Sequence, residues 1–177
     1  MTPMIEIQHV EKSMPIFAVN ISQFDDVLRL AAEAIFEEKE KNPKPMVSNV
    51  KASYVSDYSS HLVNKKFQPL IDLVLSFCGE VSKTYYKCDL KFKCYNCWGM
   101  LYEKDDYTVS HNHFPSTFAA VVYIDIEEEG SPIVVEDVLT IVPKKGSLIV
   151  FPAMLEHEVP KTQGKRMVVA MNIDHIS

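Results

Sequence analysis

The chain has no stretch of about 18 consecutive apolar residues, the length a helix needs to cross a bilayer, so no membrane span is expected. Its first ten residues have no basic start, and Glu6 and His9 interrupt their apolar character; the sequence predicts no secretory signal. There is no excess of positive charge either. The formal net charge is −6, which gives little non-specific attraction to a phosphate backbone and disfavours nucleic acid as a partner. Cysteines are few: Cys78, Cys88, Cys94 and Cys97 are expected as free thiols of a cytoplasmic protein. Cys94 and Cys97 make a CxxC, but positions i and i+3 of a regular strand point to opposite faces, which disfavours a shared metal. No internal repeat and no low-complexity tract is present.

What is there is an ordinary globular composition, 47% apolar over 177 residues, enough for one domain with a core that needs no staples. The first half reads as strands followed by helices. Met4 to Val10 alternates apolar and polar residues, and Met14 to Ile21 is a second strand-like run. Ser22 is placed to cap a helix through about Lys41, with Phe24, Val27, Leu28, Ala31, Ala32 and Ile35 on its apolar face and a solvated charged end at Glu37 to Lys41. Asn42 to Tyr58, with Pro43 and Pro45, reads as a loop. A second helix is predicted from about Asn64 to Tyr86, disturbed near its start by Pro69 and buried along Leu70, Leu73, Val74, Phe77, Val81 and Tyr85.

From Leu90 onward the pattern changes to short apolar segments separated by glycine and proline: Lys91 to Glu103, Tyr107 to His113, Phe118 to Ile126, Ile133 to Val135, Leu139 to Val142, Ser147 to Phe151 and Arg166 to Ile173. Strands in series predict a sandwich or jelly-roll barrel. The expected class is α+β: a jelly roll mainly over residues 90–174, braced by helices mainly over residues 22–87, in a single domain.

Two of the six histidines stand two residues apart, in Ser110-His111-Asn112-His113. On a strand, residues i and i+2 share a face with Cα atoms roughly 6.5–7 Å apart, so both imidazoles can reach one point. His157, after the apolar run Ser147 to Phe151, is the candidate third ligand. Pro160 and Gly164, both turn formers, predict a hairpin that would set Arg166 on the neighbouring strand, near the His157 side. A guanidinium in so apolar a strand needs an anionic partner, and its fork matches a carboxylate. Glu136 and Asp137 offer a carboxylate, but their place in the strand order disfavours them as ligands. Asp105-Asp106 and Glu127 to Glu129 read as solvated turns, and His9, His61 and His175 as surface residues.

This constellation, His111-x-His113, Val121 to Ile124, Gly146 to Pro152, His157 and Arg166, resembles the iron(II)/2-oxoglutarate-dependent oxygenases. Within them it more closely resembles a group of small oxygenases of bacteria and phages that also carries Ser48-Asn49 and a tryptophan strand, here Trp98. The resemblance implies a double-stranded β-helix with iron(II) in its mouth, held by His111, His113 and His157. It implies 2-oxoglutarate as cosubstrate, its far carboxylate on Arg166 and Tyr123, with Tyr102 lining the same pocket. The reaction implied is oxygenation, most simply hydroxylation, of a small-molecule or peptide substrate. Val121, Ile149 and Val169 are expected to keep the pocket dry. Two departures stand out. His113 takes the place of the carboxylate in the superfamily's HxD or HxE motif, so either three neutral imidazoles bind the metal or His113 stands aside and water completes the site. Val168 replaces a hydroxyl residue two positions after the arginine. Two alternatives fit part of the pattern: a three-histidine cupin with chemistry independent of 2-oxoglutarate, and a non-enzymatic jelly-roll module.

Overall fold

The computed structural model describes residues 13–128 and 130–176; the run at Met4 to Val10, with His9, lies outside the described residues. In chain order the elements are β1 (Phe17–Asn20), α1 (Asp25–Lys41), β2 (Val50–Lys51), β3 (Tyr54–Val55), α2 (Ser60–Val63), a 3-10 turn at Lys65–Phe67, α3 (Gln68–Thr84), β4 (Lys91–Tyr102), β5 (Tyr107–His111), β6 (Phe118–Ile126), β7 (Ile133–Val135), β8 (Leu139–Ile141), β9 (Ser147–Pro152), β10 (His157–Val159) and β11 (Arg166–Ile176). Among the described residues every strand pairing is antiparallel. The strands form a six-stranded sheet, ordered β1-β9-β6-β11-β4-β3, and a five-stranded sheet, ordered β2-β5-β10-β7-β8. Two such sheets, with non-consecutive strands side by side, make a jelly roll.

Strands β6 and β9 of the six-stranded sheet are apolar almost throughout because both their faces are buried, as is the middle of β11. Period-2 alternation then deals successive residues to two different cores. In β6, Phe118, Ala120, Val122 and Ile124 join a cluster with α1 and α3, while Ala119, Val121 and Tyr123 face the five-stranded sheet. In β9, Leu148 and Val150 go to the helix side and Ile149 and Phe151 to the space between the sheets. In β11, Val168 and Ala170 face between the sheets, while Val169 and Met171 face the helices. Val169 therefore does not line the pocket as expected; it is one residue out of phase.

Helices α1 and α3 each bury a stripe at helical spacing: Leu28, Ala31, Ala34 and Ile35 on α1, and Leu70, Ile71, Val74, Cys78 and Val81 on α3. Burying each of the leucine, isoleucine and valine side chains contributes about 1.5–3 kcal/mol. Close approach of α1 to β4 depends on Gly99, where a Cβ would stand 2.3 Å from Cγ1 of Ile35. Among the described residues, no helix is long and apolar enough to cross a membrane.

Several local expectations change. Ser22 does not cap α1; its N–H donates to Oδ1 of Asn20 (2.9 Å), and the helix opens three residues later with Asp25 and Asp26 in its first turn, where negative charge suits the helix dipole. Phe24 is left 40% exposed. The charged end of α1 is not a free solvated face: Lys66 Nζ donates to Glu33 (2.8 Å) and Glu37 (2.6 Å), and Asn64 Nδ2 donates to Glu37 and Glu38. Those contacts dock a segment predicted as the start of one helix. It is instead α2, a 3-10 turn and then α3, with Pro69 starting α3 at a position where a missing N–H costs nothing. The predicted loop at Asn42 to Tyr58 contains β2 and β3, one in each sheet. His61, expected at the surface, is buried on α2, and burial pulls its pKa down.

The CxxC geometry is also different. Asn172 of β11 pairs with Asn96 of β4, but Ile173 pairs with Cys94, so Tyr95 is an extra residue in β4. This bulge puts Cys94 on the same side as Cys97, both against the helix-facing core. All four cysteines are free thiols, and burial pushes Cys78 up to about 12 and Cys97 in the same direction.

Candidate metal centre

His111 ends β5 and His157 begins β10, and the two are cross-strand partners whose ring centroids lie 4.3 Å apart. His113 sits two residues beyond the end of β5, not on the strand as predicted. Its backbone N–H donates to the Ala153 carbonyl (2.7 Å), which ties it beside the pair. Its ring centroid is 4.9 Å from that of His111 and 5.0 Å from that of His157. One ring nitrogen from each of the three lies within 4.8 Å of the others, an arrangement that can hold one metal ion.

The chemistry of the donor set fits a metal. Nδ1 of His111 faces the Val109 carbonyl (2.9 Å) and Nδ1 of His157 faces the Leu155 carbonyl (3.3 Å). A carbonyl only accepts, so each Nδ1 carries the proton and each Nε2 keeps its lone pair free. Burial, with the neighbouring imidazoles adding to it, pushes His157 down to about 3 and His113 down to about 4. Burial also lowers His111. All three are therefore neutral at pH 7, the state a ligand requires. Among the described residues no carboxylate joins them. Glu136, the acidic alternative, sits in the β7–β8 turn and accepts a hydrogen bond from the Glu156 N–H (2.8 Å).

Arg166 opens β11 opposite Tyr102 of β4 and shares the inward phase of Val168 and Ala170. It is 4% exposed. One terminal nitrogen donates to the Ser131 carbonyl (3.1 Å), while Nε has no partner. Among the described residues no carboxylate lies within ion-pair distance of it. The guanidinium carbon lies 4.1 Å from the centroid of the Tyr102 ring and 5.7 Å from that of Tyr123. The Tyr102 hydroxyl is engaged with Thr108 Oγ1 (2.6 Å). The Tyr123 hydroxyl has no partner, and burial pushes this phenol up to about 12 against the pull of the Arg166 charge. A buried guanidinium without a counter-ion, beside a buried hydroxyl without an acceptor, is costly unless an anion joins them.

Two cavities meet at the histidines. An inner recess of about 40 Å³ is lined by the three imidazoles, Tyr102, Tyr123, Val121 and Arg166. It has room for a few water-sized groups at roughly 10–15 Å³ each, the scale of a short acid tail. An outer cleft of about 510 Å³ shares His111, His113, Val50 and Trp98 with the recess. Trp98 packs edge-on against Tyr58 with centroids 4.8 Å apart and forms the wall between the two. Ile149 and Phe151 close the inter-sheet core beneath.

Solved structures resemble this chain over most of its length. A prolyl-4-hydroxylase from Pseudomonas putida matches with a TM-score of 0.70 and 13% identity, covering 93% of this chain and 95% of its own. The viral collagen prolyl hydroxylase of Paramecium Bursaria Chlorella virus-1, solved with 2-oxoglutarate, matches with a TM-score of 0.60 and 16% identity, covering 89% and 94%. A non-heme α-ketoglutarate-dependent epimerase from nogalamycin biosynthesis matches with a TM-score of 0.66 and 12% identity, covering 89% and 76%. The chain thus shares its jelly-roll fold with these structures. No family model matches its sequence, and no curated protein does.

The four residues singled out by spacing, His111, His113, His157 and Arg166, thus line one recess with Tyr102 and Tyr123. Asp106 lies apart in the β4–β5 turn, its carboxylate accepting from the Ser53 and Glu103 N–H groups, and His175 is exposed beside Thr117. Sequence reasoning passed over Thr108 and Ser131, whose roles depend on contacts across the sheets. It also passed over Asn172, which did carry a signal: a lone amide inside the apolar run from Met167 to Ile173.

Proposed function

We propose that the protein is an iron(II)- and 2-oxoglutarate-dependent oxygenase. The observation that carries this reading is the buried, carboxylate-free Arg166 lying in the same recess as three neutral imidazoles. A metal site alone would not need it; a metal paired with a dicarboxylate does. His111, His113 and His157 are the proposed iron ligands, each offering a neutral nitrogen. Arg166 takes the far carboxylate of the cosubstrate, and the Tyr123 hydroxyl donates to it. Tyr102 holds the guanidinium in place by stacking, since its own hydroxyl is committed to Thr108. Val121 and Val168 close the recess to water, which strengthens the charge pairing inside it.

When bound, iron and 2-oxoglutarate supply the oxidising equivalents from molecular oxygen, leaving succinate and carbon dioxide and oxidising a C–H bond of the prime substrate. The protein's part is to orient and to exclude water. With three histidines and no carboxylate, the metal's charge is balanced by the cosubstrate alone, so iron binding and 2-oxoglutarate binding should reinforce each other. Hydroxylation is the reading adopted for the reaction. The helical layer is read as a brace for the long sheet, the whole as one domain, the compartment as a reducing cytoplasm, and the substrate as a small molecule or peptide.

The test is anaerobic addition of 2-oxoglutarate to iron(II)-loaded protein. The reading predicts a weak visible absorption band that saturates at one equivalent, and succinate formation once oxygen is admitted. No band and no succinate would leave the three-histidine cupin as the better account, because that chemistry makes no use of Arg166.

A further inference from the structure

The outer cleft constrains what is presented to the metal. Its lining carries four carboxamides, Asn49, Asn96, Asn112 and Asn172, beside the hydroxyls of Tyr58, Tyr95 and Ser116, the Trp98 indole, the two histidines and one carboxylate, Asp174. Some of these groups are already engaged. Asn112 Oδ1 accepts from the Phe114 N–H (3.1 Å), and Asn172 Nδ2 donates to Asn96 Oδ1 (3.2 Å). Three atoms are left: Asn49 Nδ2, Trp98 Nε1 and Asn172 Oδ1 have no hydrogen-bond partner, although each is sheltered from solvent. Their residues come from three separate parts of the chain, the approach to β2, the middle of β4 and the second half of β11, and all three residues border one cleft. Tyr95, the extra residue of the β4 bulge, and Asn96 after it both border the cleft.

A sheltered donor or acceptor left unmade destabilises the free protein, so three around one mouth mark a place where a ligand completes the bonding. The set is two donors and one acceptor, none of them charged. Its complement is a group with a carbonyl oxygen beside an N–H, which is an amide. An anion would find no Lys or Arg in this lining. Resting on the oxygenase reading, we propose that the outer cleft holds an uncharged amide of the prime substrate. Its carbonyl faces the Asn49 and Trp98 donors and its N–H faces Asn172 Oδ1. Tyr58, stacked edge-on against Trp98, and the 73% exposed Phe114 provide apolar surface for the flanking carbon skeleton. Asn49, Trp98 and Asn172 are then specificity-determining residues.

Trp98 is the chain's single tryptophan, so its indole N–H gives one resolved cross-peak in a proton–nitrogen NMR spectrum. Zinc-loaded protein is titrated with N-acetylsarcosine methylamide and, separately, with its methyl ester, which differs in lacking the N–H. The proposal expects the methylamide to shift the indole peak saturably and to bind about tenfold more tightly than the ester. Asn172→Ala should erase that difference, and Asn49→Ala should weaken both probes alike. Equal binding of the two probes, or an indole peak that neither moves, overturns the proposal. Metal binding is measured on the same samples: zinc bound with no amide preference sinks the cleft assignment alone, whereas an amide preference without zinc binding keeps the cleft and sinks the metal reading.

Discussion

The two faces of the six-stranded sheet are built from the same strands and differ by one residue of phase. The helix-facing side of β6, β9 and β11 is Phe118, Ala120, Val122, Ile124, Leu148, Val150, Val169, Met171 and Ile173, and it meets apolar helix stripes. The cavity-facing side of the same strands carries Tyr123 and Arg166, and β4 adds Trp98; all three have polar atoms with no partner. One face gains from burial and asks for nothing further. The other buries polar atoms at a cost that, on the proposed function, a bound cosubstrate would offset. The lesson is that stability and chemistry are separated here by strand alternation, not by region of the chain.

Substitutions on the two faces should therefore break different things. The largest effects come as a crossed pair. Leu148→Ala, on the helix face, should destabilise the protein by about 2–5 kcal/mol in denaturant unfolding while leaving 2-oxoglutarate affinity per folded molecule unchanged. Arg166→Leu, on the cavity face, should weaken 2-oxoglutarate binding by about 10²–10³-fold in calorimetry without lowering the melting temperature of the apoprotein, because it removes a buried charge that lacks a counter-ion. If Arg166→Leu instead unfolds the protein, the guanidinium is part of the core and the comparison fails.

A smaller effect tests the ligand set. Losing a partner that merely orients a ligand weakens metal binding by about 10–100-fold, so His113→Ala should cost at least about 100-fold if His113 is itself a ligand. His113→Asp should restore most of that affinity, since it supplies the carboxylate that the resemblance leads one to expect. Metal binding indifferent to His113→Ala would leave two histidines and water. Smallest of all, Tyr123→Phe removes one hydrogen bond to a bound carboxylate and should weaken 2-oxoglutarate by about tenfold, with metal affinity unaltered. A Tyr102→Phe control should do less, because that hydroxyl already serves Thr108.

Much of this arrangement was legible in the sequence because it follows simple periods. The β4 to β9 segments and β11 fall within a few residues of their predicted positions, and His111, His113, His157 and Arg166, picked out by residue type and spacing together with the family resemblance, line one recess. What was hidden lacks a period. Strands β2 and β3 have two residues each and β10 has three, too short for alternation to register, yet β2 and β10 flank the His111 strand. The Tyr95 bulge inverted the reading of Cys94 and Cys97, since a one-residue slip changes every later face. Val169 was misassigned by the same arithmetic. His61 carried no local sign of burial, and Asn64 docks through side-chain contacts with α1 that no window of sequence displays.

The most direct test is anomalous diffraction from crystals grown with manganese(II) and 2-oxoglutarate. The account predicts a single metal peak between Nε2 of His111, Nε2 of His157 and the His113 ring, with a carboxylate seated on Arg166 and Tyr123. A metal peak elsewhere, or an Arg166 whose guanidinium is neutralised by one of the protein's own acids while the recess stays free of ligand, would contradict it.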